Sequence, residues 1–285
     1  MKSILNYMKA AAVGALLTQP LGAAPASAAN TSAGLYYETC GTGPAYVVLL
    51  HDAYLHSQAY DDVWTALCKA EGVTIVRYDR RGYGQSPAAT FEYSETNDLA
   101  VLLRDIGADK ATVVASSTST QIPVEIALRL PQLLEGLVLV SPSVGPYRYS
   151  GAYVDRRRAL LSPLQENNIP EVIKRLAADP YVVSPANDEA RDRMVKILED
   201  NQQNLAIRQW RQPPSFIYDR LNEVKKPTLI LIGENDDPEN IRHAEDVGKA
   251  IPNAIRVSVN DTAQLMYLEQ PDLFAKHVLD FIAEQ

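Results

Sequence analysis

Val73-Thr74-Ile75-Val76-Arg77-Tyr78-Asp79-Arg80-Arg81-Gly82-Tyr83-Gly84-Gln85-Ser86 starts as a β-branched run and ends in a charged, glycine-spaced loop. The run 73–78 predicts a strand. Similar runs occupy 45–50, 112–115, 137–141, 228–233 and 254–259. Most are apolar on both faces, as strands are when helices cover both sides of a parallel sheet. Helical stretches lie between them, at 60–70, 94–106, 124–130, 241–250 and 271–283. This alternation predicts an α/β fold: a mostly parallel central sheet flanked by crossover helices. Residues 34–39 add an edge strand that turns through Gly41-Thr42-Gly43-Pro44 into the next run.

The rhythm breaks between 143 and 226, where no convincing strand occurs. Amphipathic helices are expected around 156–161, 171–178 and 188–200, punctuated by Pro180, Pro185, Pro213 and Pro214. The stretch 143–226 reads as a helical lid inserted into a core of 30–142 and 227–285. Ligands of open α/β sheets bind at the carboxyl ends of strands, so a lid there would wall a pocket.

Four landmarks carry a resemblance. Tyr78-Asp79-Arg80-Arg81-Gly82-Tyr83-Gly84-Gln85-Ser86 matches the YDxRGxGxS segment of the α/β-hydrolase superfamily. Leu49-Leu50-His51-Asp52 resembles its strand-end HG, 227–236 its PTLxxxGxxD, and Leu268-Glu269-Gln270-Pro271 its LExP. The resemblance covers nearly all of the chain after residue 29 and implies the α/β-hydrolase fold. Activity is a separate matter, because sites are grafted onto folds.

The resemblance also implies where a Ser-Asp-His triad would lie. The nucleophile turn GxSxG here reads Ala115-Ser116-Ser117-Thr118-Ser119, and the register of Ala127-Leu128-Arg129-Leu130-Pro131 puts Ser117 at the nucleophile position. Both flanking glycines are replaced by small residues, which predicts a strained turn. Pro123 is expected to bend the following helix. Asp236, three residues after Gly233, takes the acid position, with helix capping as the alternative role. Five residues before Glu269, where the family has its histidine, stands Gln264. A carboxamide can hydrogen-bond to Ser117 but has no basic nitrogen to accept its proton. The oxyanion-hole donors would be the N–H groups of Ala53 and Thr118. Asp52 replaces the glycine of HG beside them, either opposing negative charge there or capping a local turn.

Of the four histidines, His51 matches the structural HG position, and His243 and His277 are expected at the surface or in packing. His56 is the one candidate for a relocated base. Tyr54, Tyr60, Tyr147, Tyr149 and Tyr153 are candidates for pocket and lid, with ordinary packing as the plainer reading. Arg156-Arg157-Arg158 is expected on a solvated face.

The 285 residues are 46% hydrophobic and carry a formal charge of −8, which allows a large core and argues against nucleic acid as a partner. Residues 1–29 read as a cleavable signal peptide: Lys2 and Lys9, an apolar run over 10–17, and small residues Ala26-Ser27-Ala28. The run is far shorter than the ~20 residues of a membrane span, so no span is expected after its removal. The expected location is secreted or periplasmic. Cys40 and Cys68 are either bridged or two buried thiols. No metal-ligand or phosphate-loop motif occurs, so neither a metal nor another cofactor is expected. The expectation is an exported protein that binds a small apolar molecule without hydrolysing it, or does so very weakly. The alternatives are an active serine esterase, or a non-hydrolytic lyase or cyclase using Asp52 or Asp236.

Overall fold

The computed structural model describes residues 26–206 and 208–285. Successive side chains of a strand point to opposite faces, and here both faces are apolar. Val47 and Leu49 enter one buried cluster while Val48 and Leu50 enter the other. A sheet with two greasy faces must be covered twice. The first face carries α1 (Asp61–Leu67) and α9 (Pro271–Ala283); the second carries α2 (Glu95–Asp105), α3 (Gln121–Arg129) and α7 (Pro238–Ala250).

The described strands are β1 (Ser27–Asn30), β2 (Tyr36–Gly41), β3 (Ala45–Leu50), β4 (Val73–Tyr78), β5 (Ala111–Ser116), β6 (Leu134–Val140), β7 (Thr228–Gly233) and β8 (Ala254–Val259). They form one sheet in the order β1-β2-β4-β3-β5-β6-β7-β8. Pairing is parallel from β4 to β8 and antiparallel at β1/β2 and β2/β4. The expected edge strand is therefore displaced: β2 pairs with β4, not with the run that follows it, and β1 covers its outer side. Residues 1–25 of the expected signal peptide lie outside the described residues.

Between β6 and β7 the chain forms α4 (Gly151–Leu161), α5 (Ile169–Ala178) and α6 (Asp188–Asp200). Val172, Ile173 and Leu176 of α5, with Met194, Ile197 and Leu198 of α6, join the same buried cluster as α1 and α9. The insertion is stitched to the loop after β8, since Gln264 N–H donates to Tyr181 O at 3.2 Å and Leu265 N–H to Val182 O at 3.1 Å. Glu269, in the short α8 (Met266–Glu269), accepts from Ala263 N–H and Ser184 N–H, each at 2.7 Å. That carboxylate ties insertion and loop together.

The charged side chains of the loop after β4, Asp79, Arg80 and Arg81, are buried. Arg81 makes a two-point pair with Asp98 of α2, at 2.7 and 2.8 Å. Asp79 accepts from Ser57 N–H and Gln85 N–H, each at 2.8 Å. Gly84 has φ +45°, and a Cβ there would collide with Asp79 and His56, so only glycine fits. Cys40 of β2 and Cys68, just after α1, form a disulfide with Cα atoms 5.5 Å apart.

Candidate active site

The ends of β3, β5, β6 and β7 and the loop after β8 lie along one edge of the sheet and carry Asp52 and Ala53, Ser117 and Thr118, Ser141, Asp236 and Gln264. At the end of β5, Ser116 is extended and fully buried, while Ser117 has φ +55°. A non-glycine residue in that region is uncommon and marks a forced turn. The serine at 119 fits the turn through its hydroxyl, which accepts from Ser116 N–H at 3.1 Å and donates to Ser116 O at 2.7 Å. Thr120 donates its hydroxyl to Ser117 O at 2.6 Å and accepts Ser143 N–H at 3.0 Å. Pro123 lies nearer the start of its helix than the expected bend requires. A 3₁₀ turn over Ser117–Thr120 precedes α3, so Pro123 falls in its first turn, where an N–H is dispensable.

After β3, Asp52 turns away from the site and caps the turn, its Oδ1 accepting from Tyr54 N–H and Leu55 N–H at 2.8 Å each. Burial holds its pKa above the usual carboxylate range. The loop is braced by the charged segment after β4: Tyr83 donates to Ala53 O at 3.0 Å, and Arg80 N–H donates to His51 Nε2 at 3.1 Å. Neither Ala53 N–H nor Thr118 N–H donates to another described residue.

After β7 the adjacent acids divide their roles. Asp237 caps α7, accepting from Glu239 N–H at 2.8 Å. Asp236 is buried; its Oδ2 accepts from Ser141 Oγ at 2.7 Å and its Oδ1 from Asn240 Nδ2 at 2.8 Å. Burial pushes its pKa up to about 6, against the hydrogen bonds from Ser141 and Asn240. Gly233 is needed for the close approach of this strand end to Thr262 and Ala263, where a Cβ would strike their carbonyls. Gln264 is buried at the following loop, and its carboxamide makes no hydrogen bond to Ser117, Asp236 or any other described residue.

The sequence pattern of the alpha/beta hydrolase family matches residues 47–277. The chain belongs to that family. A relative, mouse sn-1-specific diacylglycerol lipase ABHD11, is 24% identical over 254 residues, 83% of this chain and 80% of its own length. The 2-hydroxy-6-oxononadienedioate/2-hydroxy-6-oxononatrienedioate hydrolase 1 of Dechloromonas aromatica is 27% identical over 264 residues, 87% of this chain and 90% of its own. Among solved structures, a malate-bound thermophilic esterase from Thermogutta terrifontis superposes with TM-score 0.76 at 20% identity, covering 92% of this chain and 99% of that one.

In this alpha/beta hydrolase no described histidine makes a hydrogen bond to Ser117. His51 is buried with Nδ1 2.9 Å from Asp52 O, and burial holds its pKa well below the usual value. His56 faces Asp79, with Nδ1 3.7 Å from Oδ1, and makes no hydrogen bond to Ser117. His243 is fully buried, so of its two expected roles it takes packing, not the surface. Its Nδ1 lies 2.7 Å from Tyr149 Oη, its ring stacks on Tyr147 at 3.8 Å, and burial lowers its pKa to about 4. Tyr60 belongs to the core, donating to Leu50 O at 3.0 Å, whereas Tyr153 reaches Asn240 at 2.9 Å.

The three arginines do not share a solvated face. Arg158 is exposed; Arg156 bridges Asp179 and Asp237; Arg157 is partly buried against Tyr54. A cavity of about 280 Å³ lies beside the nucleophile turn, reached by Thr118, Gln121, Ser143 and Pro214, but neither Ser117 nor Gln264 lines it. Ser141 and Asn240, the partners of Asp236, escaped sequence reasoning. Ser141 has φ +44° at a strand end, a strain that composition does not display. Among the described residues no cluster suits a metal ion, and no helix is long and apolar enough to cross a membrane.

Proposed function

We propose that this alpha/beta hydrolase binds a small apolar molecule between the helical insertion, acting as a lid over 143–226, and the strand ends, and has lost efficient ester hydrolysis. The observation that carries this reading is that no described histidine makes a hydrogen bond to Ser117, with Gln264 in the base position. Serine attack needs a base, and general-base help is typically worth about 10²–10⁴-fold. Asp236 is spent on Ser141 and Asn240, which supports the same conclusion. The turn at Ser117 and the free N–H groups of Ala53 and Thr118 retain a shape able to cradle a polar oxygen.

The second reading, a working esterase, draws on that retained turn and on the lipase and esterase activities of similar proteins. A fluorophosphonate probe separates the two. The unmodified protein is expected to stay unlabelled at Ser117; labelling that disappears in Ser117→Ala would reverse the conclusion. Gln264→His is expected to gain measurable hydrolysis of a p-nitrophenyl ester, by about 10²-fold or more.

Export is part of the proposal. An internal disulfide is characteristic of oxidising compartments, which supports a secreted or periplasmic protein with a cleavable leader. Cleavage after Ala28 would remove two of the four residues of β1, which is exposed along its length, and leave β2 intact.

A further inference from the structure

Consecutive arginines on α4 meet three different fates. Arg158 pairs with Asp155 at the surface, and Arg156 with Asp179 and Asp237. Arg157 has no carboxylate within ion-pairing distance among the described residues. Its single hydrogen bond there runs from Nη2 to the Tyr54 hydroxyl, and its Cζ lies 5.5 Å from the Tyr54 ring centre. A guanidinium carries five N–H donors, so most of them lack a protein acceptor.

The nearby acids make no ion pair with it and are committed elsewhere. Asp179 is taken by Arg156 and by Tyr181 N–H at 2.9 Å. Asp52 commits Oδ1 to the turn of its own loop, and burial disfavours its charge. Arg157 is half-buried, so its unfilled donors can exchange water for a ligand's oxygens. The location agrees. Tyr54 directly follows Ala53, whose N–H is free, and α4 starts just beyond Tyr149, which is bonded to His243 of α7. Arg157 thus reaches from the insertion to the loop after β3, with most of its planar fork unfilled.

We propose that the ligand carries a carboxylate and that Arg157 binds it, the apolar remainder of the molecule packing among Tyr54, Tyr149 and Tyr153. Arginine matches a carboxylate through two parallel hydrogen bonds, which a neutral amide of the same shape cannot reproduce. This rests on the reading of the site as a binding pocket and names the class of molecule it takes.

The test uses the full chain and matched pairs: octanoate and octanamide, benzoate and benzamide, phenylacetate and phenylacetamide, each titrated by calorimetry. At least one carboxylate is expected to bind tenfold or more tightly than its amide. Arg157→Gln is expected to erase that preference while leaving amide affinity unchanged, and Arg157→Lys to retain part of it. Should Arg157→Gln fail to fold, the comparison in the unmodified protein and in Arg157→Lys decides. No carboxylate preference in any pair, or equal loss of acid and amide in Arg157→Gln, overturns the proposal. Amide binding without preference would leave the binding reading intact and remove only this inference. Probe labelling of Ser117 would remove the binding reading while the carboxylate preference stayed measurable.

Discussion

Asp236 and His243 lie seven positions apart and are buried with opposite consequences for pH. The carboxyl of Asp236 is pushed up to about 6, from an unfolded value near 3.8. As pH rises from 4 to 6 the unfolded chain gives up this proton first, so stability falls, by an order of 3 kcal/mol once both states are ionised. The imidazole of His243 is pushed down to about 4, so the unfolded chain takes up a proton first as pH falls from 6.5, and stability falls by a similar amount. The two slopes oppose each other between pH 4 and 6. Asp236→Asn should therefore grow more stable relative to the unmodified protein as pH rises from 4 to 7, in urea titrations. A pH-independent difference would mean that Asp236 titrates normally. That Ser117 follows β5, Asp236 follows β7 and Gln264 follows β8 was legible because the flanking motifs count residues along the chain. The partners Ser141 and Asn240 were not, because they meet Asp236 only through the alignment of two strand ends.

The loop after β4 shows the same limit at the level of elements. Its sequence marked the fold, and the strand it leaves, 73–78, was legible to the residue, as was α6 over 188–200. Periodicity locates such elements because burial imposes it. It is silent on β1, whose four residues are all exposed and held only by pairing with β2. Nor could it show that Arg81 leaves the loop to fork onto Asp98 of α2, with both side chains buried. Removing one partner strands the other charge away from water, which typically costs about 3–5 kcal/mol. Asp98→Ala should destabilise by that order in urea titrations. Asp155→Ala, which breaks the exposed pair with Arg158, should change stability by less than about 1 kcal/mol. Similar losses for the two would mean that the Arg81 fork is no better than a surface contact.

For the whole molecule, the decisive feature is a bond that sequence left open between two alternatives. Cys40 lies on β2, whose antiparallel pairing with β4 departs from the parallel rule, and Cys68 follows α1 on the face shared with α9. The bridge fastens the antiparallel margin of the sheet to a crossover helix of the parallel core. It closes a separation of 28 residues, and closing a loop of that length in the unfolded chain is worth about 3–4 kcal/mol on the chain-entropy account. For a domain of this size that corresponds to a melting temperature on the order of 10 °C lower once the bridge is lost. The Cys40→Ala, Cys68→Ala double variant should show that drop by calorimetry, and reductant should produce it in the unmodified protein without adding to it in the variant. The proposed export draws on the same energetics: a chain that leans on this bridge folds to full stability only where thiols oxidise. Protein made in a reducing compartment should carry two free thiols and melt with the variant. If it melts with the oxidised protein instead, the bridge contributes nothing to stability, and the argument from it to an oxidising compartment fails.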